Sequence, residues 1–334
     1  MIRKSNLSLL EARIVGTGAY VPEKVLTNHD LEQIVDTSDE WITTRTGIKE
    51  RHIAADGEGV SHMSAKAAER ALEAAGLTAQ DLDMIIVGTF SGDMLLPSTA
   101  CFVQKHLGVA HIPAFDLAAA CTGFLYGLAV AKQFVITGMY KNILVIGSDK
   151  LTAYTDWSDR NTCVLFGDGA GAAIVSSEGE GPTIGSIDLG AEGELTHLIY
   201  LPGGGSLKPF SPDNWEDGEQ YIKMAGRELF KAAVQKMEET IHTVLERGNA
   251  KIDDITYIVP HQANIRILNT VARNLGVDTK RVYTNLEKYG NTSAAATAMC
   301  LDECIRENSF KPSDKIVVVA FGGGFTYGSC LIEW

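Results

Sequence analysis

Three side chains that lie far apart in the sequence together offer the chemistry of acyl transfer. Cys121 stands in a run of small residues, His261 follows the apolar run Tyr257-Ile-Val-Pro260, and Asn291 precedes an alanine-rich segment. A cysteine thiolate can accept an acyl group from a thioester, which divides one difficult step into two easier ones. An imidazole and a carboxamide can donate hydrogen bonds to the negatively charged oxygen that develops. We therefore treat these three residues as candidate catalytic groups.

The sequence around Cys121 predicts a turn from a strand into a helix. The residues before it are small and strand-like, whereas those after it favour a helix that contains Gly123 and Gly127. A thiol at a helix N-terminus experiences partial positive charge, and this charge favours the thiolate. A buried structural cysteine is the alternative interpretation, because free cysteines are usually buried.

His261 and Asn291 both stand beside predicted helices. His261 lies between Pro260 and Gln262, in a loop before a helix predicted over residues 264–275, so it does not belong to the buried face of a helix. Asn291 could instead be a helix N-cap, a role that asparagine favours. If the two residues head loops at the same end of the fold as Cys121, the three groups would form an acyl-transfer site.

Two glycine-rich runs accompany apolar segments. Phe321-Gly-Gly-Gly324 directly follows a predicted buried strand, and its backbone N–H groups could point at a ligand as an oxyanion hole requires. An ordinary tight turn is the other interpretation of this run. Phe166-Gly-Asp-Gly-Ala-Gly-Ala172 lacks the lysine of a P-loop and the spacing of a dinucleotide-binding loop, so we interpret it as a structural turn.

Trp41 and Arg45 lie one helical turn apart in the segment Asp39-Glu-Trp-Ile-Thr-Thr-Arg-Thr-Gly47. An aromatic face beside a guanidinium group suits an adenine ring and a phosphate. The alternative is that Trp41 is a core residue and Arg45 a surface charge.

The elements that must position these residues repeat once along the chain. Segments 76–87 and 248–259 each begin with glycine, carry an aspartate five residues later and end in an apolar strand. Helices are predicted before them, over residues 64–75 and 226–247. Each half then continues with a buried helix and an apolar strand: residues 121–137 and 143–147 in the first half, and residues 291–307 and 316–322 in the second. Apolar strands that alternate with helices indicate parallel sheets covered on both faces.

This repeat predicts a duplicated α/β unit whose halves are residues 1–180 and 181–334. The segment 177–193, where Glu, Gly and Pro accumulate, is the predicted junction, and a further loop is predicted over residues 202–218. No linker is long enough to separate the halves, so they should share one interface. Such interfaces often hold a ligand site.

Composition and charge narrow the class of protein. The 334 residues are 45% hydrophobic and 21% charged, which is typical of a globular chain of about two domains. The 29 basic and 42 acidic residues give a net charge of −13, and this balance argues against a nucleic-acid-binding protein. An anionic ligand would need a local basic surface on this acidic chain.

Neither an export signal nor a membrane span is expected. Glu11 and Arg13 interrupt any apolar signal core, and the longest uncharged runs fall short of the roughly 20 apolar residues that a bilayer requires. The six cysteines form no CxxC motif and no cluster with histidine, so we expect reduced thiols and no metal site. We predict a soluble, cytoplasmic protein.

The motifs taken together resemble those of β-ketoacyl-[acyl-carrier-protein] synthase III, the initiating condensing enzyme of dissociated bacterial fatty-acid synthesis. The resemblance extends from about Ile14 to Trp334. It rests on these strings: Asp39-Glu-Trp-Ile with Arg45-Thr-Gly-Ile, Ala120-Cys-Thr-Gly, Arg160 with Phe166-Gly-Asp-Gly-Ala-Gly-Ala, Pro260-His-Gln-Ala-Asn264, Tyr289-Gly-Asn-Thr-Ser293 and Phe321-Gly-Gly-Gly.

The resemblance implies a thiolase-like α/β fold, with duplicated βαβαβαββ halves in a five-layer αβαβα arrangement. It makes Cys121 the acylated nucleophile, with His261 and Asn291 completing a triad, and it assigns the oxyanion hole to the N–H groups of Cys121 and Gly323. It also implies a homodimer without a resident cofactor, because the coenzyme A thioester is a substrate.

The resemblance also assigns binding residues. Trp41, Arg45 and Arg160 would hold the adenine and phosphate end of coenzyme A. Asn264 would contact the pantetheine arm, and Phe321 would pack beside the histidine and the malonyl group. A basic surface that meets the acidic acyl carrier protein would consist of Lys231, Arg266 and Arg273.

The sequence departs from the family pattern at Leu96, where the family commonly has phenylalanine. By the resemblance, this side chain closes the acyl pocket of the partner subunit. Leucine is smaller and more deformable, so we predict tolerance of starters longer or more branched than acetyl.

Three other functions compete with this one. A papain-like cysteine hydrolase also uses Cys, His and Asn in that chain order, but it does not fit the duplicated α/β pattern. A related condensing enzyme that makes a secondary metabolite or polyketide starter would carry the same triad. A catalytically silent scaffold that binds carrier protein would be expected to lack a triad residue, and here all three residues are present.

Overall fold

The structure is a computed structural model that describes residues 9–212 and 218–334. The strands of the described residues are β1 (Arg13–Tyr20), β2 (Lys24–Thr27), β3 (Glu50–Ile53), β4 (Met84–Gly88), β5 (Ala114–Leu117), β6 (Asn142–Lys150), β7 (Asp168–Ser176), β8 (Thr183–Ala191), β9 (Ile199–Tyr200), β10 (Lys223–Met224), β11 (Ile255–Pro260), β12 (Lys315–Gly322) and β13 (Thr326–Glu333). The α-helices bounded within these residues are α1 (Asn28–Leu31), α2 (Asp39–Thr46), α3 (Val60–Ala75), α4 (Thr99–His106), α5 (Gly123–Ile136), α6 (Gly226–Arg247), α7 (Ile265–Leu275), α8 (Leu286–Tyr289) and α9 (Ala294–Glu307).

The main sheet shows the same strand order twice. Its nine strands run β11-β12-β13-β8-β1-β7-β6-β4-β5. In each half the first strand pairs with the last: β1 with β7, and β8 with β13. The last strand is also antiparallel to its other neighbour, which is β6 in the first half and β12 in the second. Beyond that neighbour lies a parallel strand, β4 or β11. Val282 forms a parallel bridge to Ile258 of β11, at the place that β5 occupies beside β4.

The two halves of the sheet meet at a narrow seam. Strands β1 and β8 pair at Arg13 and Thr183, with backbone hydrogen bonds on either side. We propose that the halves divide at residues 180 and 181, in the loop between β7 and β8, and the matching strand orders support this division.

The helices separate the chain into five layers, αβαβα. Helix α3 packs on β1, β6 and β7, while α5 and α9 lie between the two halves of the sheet and contact strands of both. Helix α6 covers β8, β12 and β13 on the far side. This arrangement confirms the layers that the family resemblance implies, and it puts the N-termini of α5 and α9 at the interface of the halves.

Glycine lets the two central helices approach the sheet closely. A Cβ atom at Gly147 of β6 would lie 2.2 Å from the carbonyl oxygen of Ala294 at the start of α9. A Cβ atom at Gly88 of β4 would lie 2.4 Å from the backbone of Gly123 at the start of α5. Both distances are too short for a side chain, so these glycines fix where the two helices begin.

The main predicted elements are confirmed, and two are corrected. Helix α6 has the predicted bounds, and strands appear at all four predicted apolar runs. The run Phe166–Ala172 is not a turn, because its residues from Asp168 onwards form part of β7. The segment 177–193 is not a continuous loop either, since β8 occupies most of it. Of the loop predicted over 202–218, residues 213–217 lie outside the described residues.

Candidate active site

Cys121, His261 and Asn291 line one cleft of about 760 Å³ between the two halves, which we call the substrate cleft. Cys121 lies in a 3-10 turn, Ala120–Thr122, that leads into α5. His261 follows β11 directly, and Asn291 lies just before α9. The cleft therefore receives one candidate residue from the first half of the fold and two from the second.

The backbone around Cys121 is held at a tight strand-to-helix turn. Ala120 has a φ of 47°, and the Thr122 hydroxyl donates a 2.6 Å hydrogen bond to the Ala119 carbonyl. A Cβ atom at Gly322 would lie 2.7 Å from the Cys121 nitrogen. This glycine is therefore required for the close approach of the glycine-rich run to the cysteine.

Burial determines the protonation of Cys121. It raises the pKa of the thiol to about 12, and the nearby Asp149 carboxylate acts in the same direction. A hydrogen bond from Ser293 opposes the change, with an Oγ–Sγ distance of 3.4 Å. Desolvation thus opposes the thiolate that the charge at the helix N-terminus favours. The thiol proton must leave during acylation.

His261 is fixed by its backbone and buried against an aromatic ring. Its backbone N–H donates a 2.7 Å hydrogen bond to the Val319 carbonyl of β12. Its imidazole ring contacts the Phe321 ring edge-on, at a centroid distance of 5.4 Å. Burial lowers the pKa of His261 to about 3. The imidazole is therefore neutral at physiological pH and can donate a hydrogen bond without first gaining a proton.

Asn291 is held by its backbone next to Phe166. Its N–H donates to the Leu165 carbonyl at 2.8 Å, and its carbonyl accepts from Gly167 at 3.1 Å. The N-cap of α9 is Ser293, so the interpretation of Asn291 as a helix cap is wrong. This leaves the Asn291 side chain available to the cleft that it lines.

Trp41 is held between basic groups beside the cleft. The Arg45 guanidinium carbon lies 5.6 Å and that of Arg160 4.8 Å from the centroid of the indole ring. Trp41 and Arg45 line the cleft, and Arg160 joins them through Trp41 and a 2.9 Å hydrogen bond to the Asp36 carbonyl. The segment thus forms the aromatic and cationic surface that its sequence predicts, although Trp41 also packs against a core cluster.

The mouth of the cleft is basic. Exposed Lys231 of α6 and Arg266 of α7 line it, as does Arg227, which sequence reasoning missed. Arg227 and Lys231 lie four residues apart on one helix, and that spacing could have revealed the pair. Arg273 is exposed near the end of α7 and does not line the cleft.

Asn264 also lines the substrate cleft, and it is the N-cap of α7. Its side-chain oxygen accepts a 2.9 Å hydrogen bond from the N–H of Arg266. Because that oxygen is engaged, the amide nitrogen of Asn264 is the group left for a ligand in the cleft.

A second, apolar cavity opens beside Cys121. This chamber of about 200 Å³ is lined by Phe90, Ala120, Cys121, Leu151, Phe166, Ile199, Tyr200, Leu201, Ile222, Ser293 and Gly323. Cys121 and Gly323 therefore border the same space, and the thiol lies where the chamber meets the cleft. An apolar chain attached to the sulfur fits the chamber, while a polar carrier arm fits the cleft.

Leu96 lines neither the substrate cleft nor the apolar chamber. It is 84% exposed, and the neighbouring Met94 and Leu95 are also exposed. Elsewhere, the described residues contain no group of three or more His, Cys, Asp or Glu side chains that could hold a metal ion. None of the described helices has the length and apolar character needed to cross a bilayer.

Comparisons with known proteins identify the family. Residues 115–193 match the sequence model of 3-oxoacyl-[acyl-carrier-protein] synthase III, and residues 245–334 match that of its C-terminal part. A β-ketoacyl-[acyl-carrier-protein] synthase III from Caldanaerobacter subterraneus is 52% identical over 97% of this chain and 98% of its own length. This chain belongs to the β-ketoacyl-[acyl-carrier-protein] synthase III family. It is a condensing acyltransferase.

Solved structures confirm the thiolase-like fold that the sequence predicts. The 3-oxoacyl-[acyl-carrier-protein] synthase III of Aquifex aeolicus superposes with a TM-score of 0.89 at 47% identity, covering 97% of this chain and all of its own. The priming β-ketosynthase of the R1128 polyketide pathway gives a TM-score of 0.90 at 30% identity, covering 99% and 98% of the two chains. A papain-like hydrolase is excluded by this family membership.

Proposed function

We propose that this protein condenses an acyl-coenzyme A starter with malonyl-[acyl-carrier-protein] and so initiates fatty-acid synthesis. The products are a β-ketoacyl-[acyl-carrier-protein], carbon dioxide and coenzyme A, and the intermediate is an acyl-cysteine. One observation carries the proposal: Cys121 lies at the meeting point of an apolar chamber and a basic cleft, and His261 and Asn291 line that cleft.

In the first half-reaction, Cys121 accepts the acyl group. The sulfur attacks the thioester carbonyl, the carbon–sulfur bond to coenzyme A breaks, and the thiol proton leaves with the departing thiolate. Backbone N–H groups of Cys121 and Gly323 stabilise the oxyanion, and the acyl chain occupies the chamber. Splitting the transfer in this way frees the cleft for the second substrate.

In the second half-reaction, His261 and Asn291 stabilise an enolate. Malonyl thioester loses carbon dioxide, and the electrons of the broken bond form the enolate. Burial lowers the pKa of His261 to about 3, so a neutral imidazole donates to the enolate oxygen together with the carboxamide. The enolate carbon then attacks the acyl-cysteine and releases Cys121. Phe321, edge-on to the imidazole, shields this step from water.

The long arm of the substrates follows the cleft to its basic mouth. Trp41 with Arg45 and Arg160 holds the adenine and phosphate groups of coenzyme A, and Asn264 contacts the pantetheine. The acidic carrier protein docks on exposed basic residues: Lys231, Arg266 and, further out, Arg273. A local basic surface on a chain of net charge −13 supports this docking site.

We further propose a cytoplasmic homodimer that needs no resident cofactor. Leu96 of one subunit closes the acyl chamber of the other, and its 84% exposure in the single chain supports this placement. A related synthase that primes a polyketide is the second candidate, favoured by the likeness to the R1128 priming enzyme. The range of starters accepted distinguishes the two functions.

The test is intact-mass spectrometry of the protein mixed with acetyl-, isobutyryl- or hexanoyl-coenzyme A. We expect the mass of one acyl group on the wild-type chain and none on Cys121→Ser. Adding malonyl-[acyl-carrier-protein] should remove the acyl group and give a β-ketoacyl carrier protein. A wild-type chain that stays unmodified with every starter would overturn the proposal.

A further inference from the structure

Ser293 occupies the N-cap of α9 without serving as a side-chain cap. A serine at this position usually accepts a hydrogen bond from a backbone N–H of the first helical turn. Ser293 makes no such bond, although its side chain is buried. Its backbone has a φ of 55° and a ψ of −124°, a conformation with positive φ that serine rarely adopts. Ser293 therefore has an unfavourable backbone conformation and lacks the capping hydrogen bond that would ordinarily explain a serine at this position.

The Ser293 hydroxyl instead points to the reactive sulfur. Its oxygen lies 3.4 Å from Cys121 Sγ, in a geometry that allows a hydrogen bond. Asp149 lies next to this pair, because its Oδ2 accepts a hydrogen bond from the backbone N–H of Ala294, the residue that follows Ser293. Ser293 therefore lies beside both the nucleophile and a buried carboxyl group.

Asp149 is anchored by neutral groups at the end of β6. It is fully buried, and its Oδ1 accepts hydrogen bonds from the Ser91 and Thr89 hydroxyls at 2.6 and 2.9 Å. Its Oδ2 accepts from the backbone N–H of Ala294, the first residue of α9, at 3.2 Å. These bonds hold the carboxyl group in place at the N-terminus of α9.

This arrangement creates an electrostatic difficulty at Cys121. A thiolate must form during acyl transfer, but the low-dielectric surroundings oppose it, and the Asp149 carboxyl group, when ionised, acts in the same direction. A hydroxyl carries one proton and two lone pairs, so Ser293 can either accept a hydrogen bond from the thiol or donate one to the sulfur. A small rotation of the O–H bond exchanges these two states.

We propose that Ser293 is a positioning residue for Cys121, whose hydroxyl holds the sulfur at the junction of cleft and chamber and donates to it as the thiol loses its proton. The hydroxyl proton stays on Ser293 throughout, and the thiol proton leaves with coenzyme A. The inference rests on the proposed function, because it assigns the role to the acylation step.

Two variants separate the hydroxyl from the backbone strain. Ser293→Ala removes the oxygen and keeps the strained position, whereas Ser293→Gly removes the oxygen and suits a positive φ. Ser64→Ala is the matched control, because Ser64 is also buried and its hydroxyl has no hydrogen-bond partner among the described residues. Thermal unfolding reports whether each variant is folded.

The first measurement is the rate of Cys121 alkylation by iodoacetamide from pH 6 to 10, which requires no substrate. A hydrogen bond to a charged group is worth about one to two pKa units, and this pH range lies below the thiol pKa of about 12. The alkylation rate at each pH should therefore fall by about ten- to a hundredfold in both Ser293 variants. The second is the rate of acylation by acetyl-coenzyme A, which should fall by about tenfold or more near neutral pH. The Ser64 variant should match wild type in both.

An unchanged alkylation profile in both Ser293 variants would overturn the inference. So would a change in only one of them, because strain or flexibility rather than the hydroxyl would then be responsible. If the alkylation rate falls as expected but the wild-type protein takes no acyl group, the proposed function fails while the contact between Ser293 and the thiol stands.

Discussion

The side-chain oxygen of Asn291 accepts a 2.9 Å hydrogen bond from the backbone N–H of Ser293. Because this bond engages Oδ1, the N–H groups of Nδ2 are what the side chain can offer to a ligand in the cleft. The contact therefore gives the amide one orientation, with its donors available to an enolate oxygen.

Asn291→Asp tests this orientation. The variant keeps the acceptor for Ser293 but replaces the donor by a negatively charged oxygen, which opposes enolate formation. We expect malonyl decarboxylation to fall about 100-fold, a typical loss for one oxyanion donor, with much less effect on acylation. Carbon dioxide release and intact-mass acylation measure the two steps, and Asn249→Asp at an exposed turn is the control. An equal fall in both steps would contradict the assignment.

The low pKa of His261 predicts how stability depends on pH. Burial holds the pKa near 3 in the folded protein, below the value of about 6.5 in the unfolded chain. The unfolded chain therefore binds an extra proton between these values, and this residue's contribution to stability, full above pH 6.5, is lost as the pH falls towards 3.

The measurement is the free energy of unfolding from pH 4 to 8 for wild type and His261→Gln. The wild-type protein should lose more stability on acidification than the variant, which cannot titrate at this position. Because His261 is neutral at this pH in the folded protein, the decarboxylation rate of wild type should show no inflection near pH 6.5 that is due to His261. Parallel stability curves for the two proteins would show that His261 is not held neutral by burial.

Leu96 is smaller than the phenylalanine that the family commonly has at this position, so we predict that the enzyme accepts a broad range of acyl starters. If Leu96 closes the partner's chamber, Leu96→Phe should lower kcat/KM for hexanoyl- relative to acetyl-coenzyme A by about tenfold, because a bulkier wall excludes longer chains. Leu95→Phe, in the same exposed loop, is the control. A wild-type enzyme that already accepts acetyl-coenzyme A alone would refute the prediction.

Phe90 narrows the chamber from within the same subunit. Its ring lines the cavity next to Cys121 and packs against Tyr154 at a centroid distance of 6.0 Å. Phe90→Ala should enlarge the chamber and raise the hexanoyl-to-acetyl preference by about tenfold. Competition assays with both thioesters measure the ratio. The control is Phe310→Ala, a ring stacked on Trp334 away from both cavities, and an equal effect there would contradict a local role.

The basic mouth of the cleft predicts a salt-sensitive encounter with the carrier protein. Lys231→Glu should raise the KM for malonyl-[acyl-carrier-protein] about fivefold at low ionic strength, and added salt should reduce the difference. Lys280→Glu changes the net charge equally at an exposed site outside the cleft. If both variants raise KM alike, overall charge rather than this surface guides the carrier protein.

The regular elements were predictable where local pattern and packing agree. Helix α6 could be bounded from sequence because its apolar stripe lies between Gly226 and Gly248. The run Phe166–Ala172, which includes the start of β7, was wrongly predicted to be a structural turn because it lacks the lysine of a P-loop and contains three glycines. In the fold they serve packing, since a Cβ atom at Gly171 would lie 2.5 Å from the side chain of Ala298. Such a requirement arises only when α9 is in place.

The same limit applies to the site. Motifs and spacing indicated Cys121, His261 and Asn291, because their residue types carry the chemistry. The contact between Ser293 and the thiol could not be predicted, because it depends on a strained backbone and on how α9 packs against the turn that carries Cys121. The high pKa of Cys121 likewise follows from burial between two halves, which local sequence does not report.

Strands β1 and β8 pair over a short stretch, so the chain resembles two α/β units joined at a narrow seam. In the proposed mechanism, the first half of the chain supplies the sulfur and the second half supplies the groups that stabilise the enolate. Neither half would then carry out both half-reactions alone, so the proposed reaction requires the two halves to stay joined at this seam.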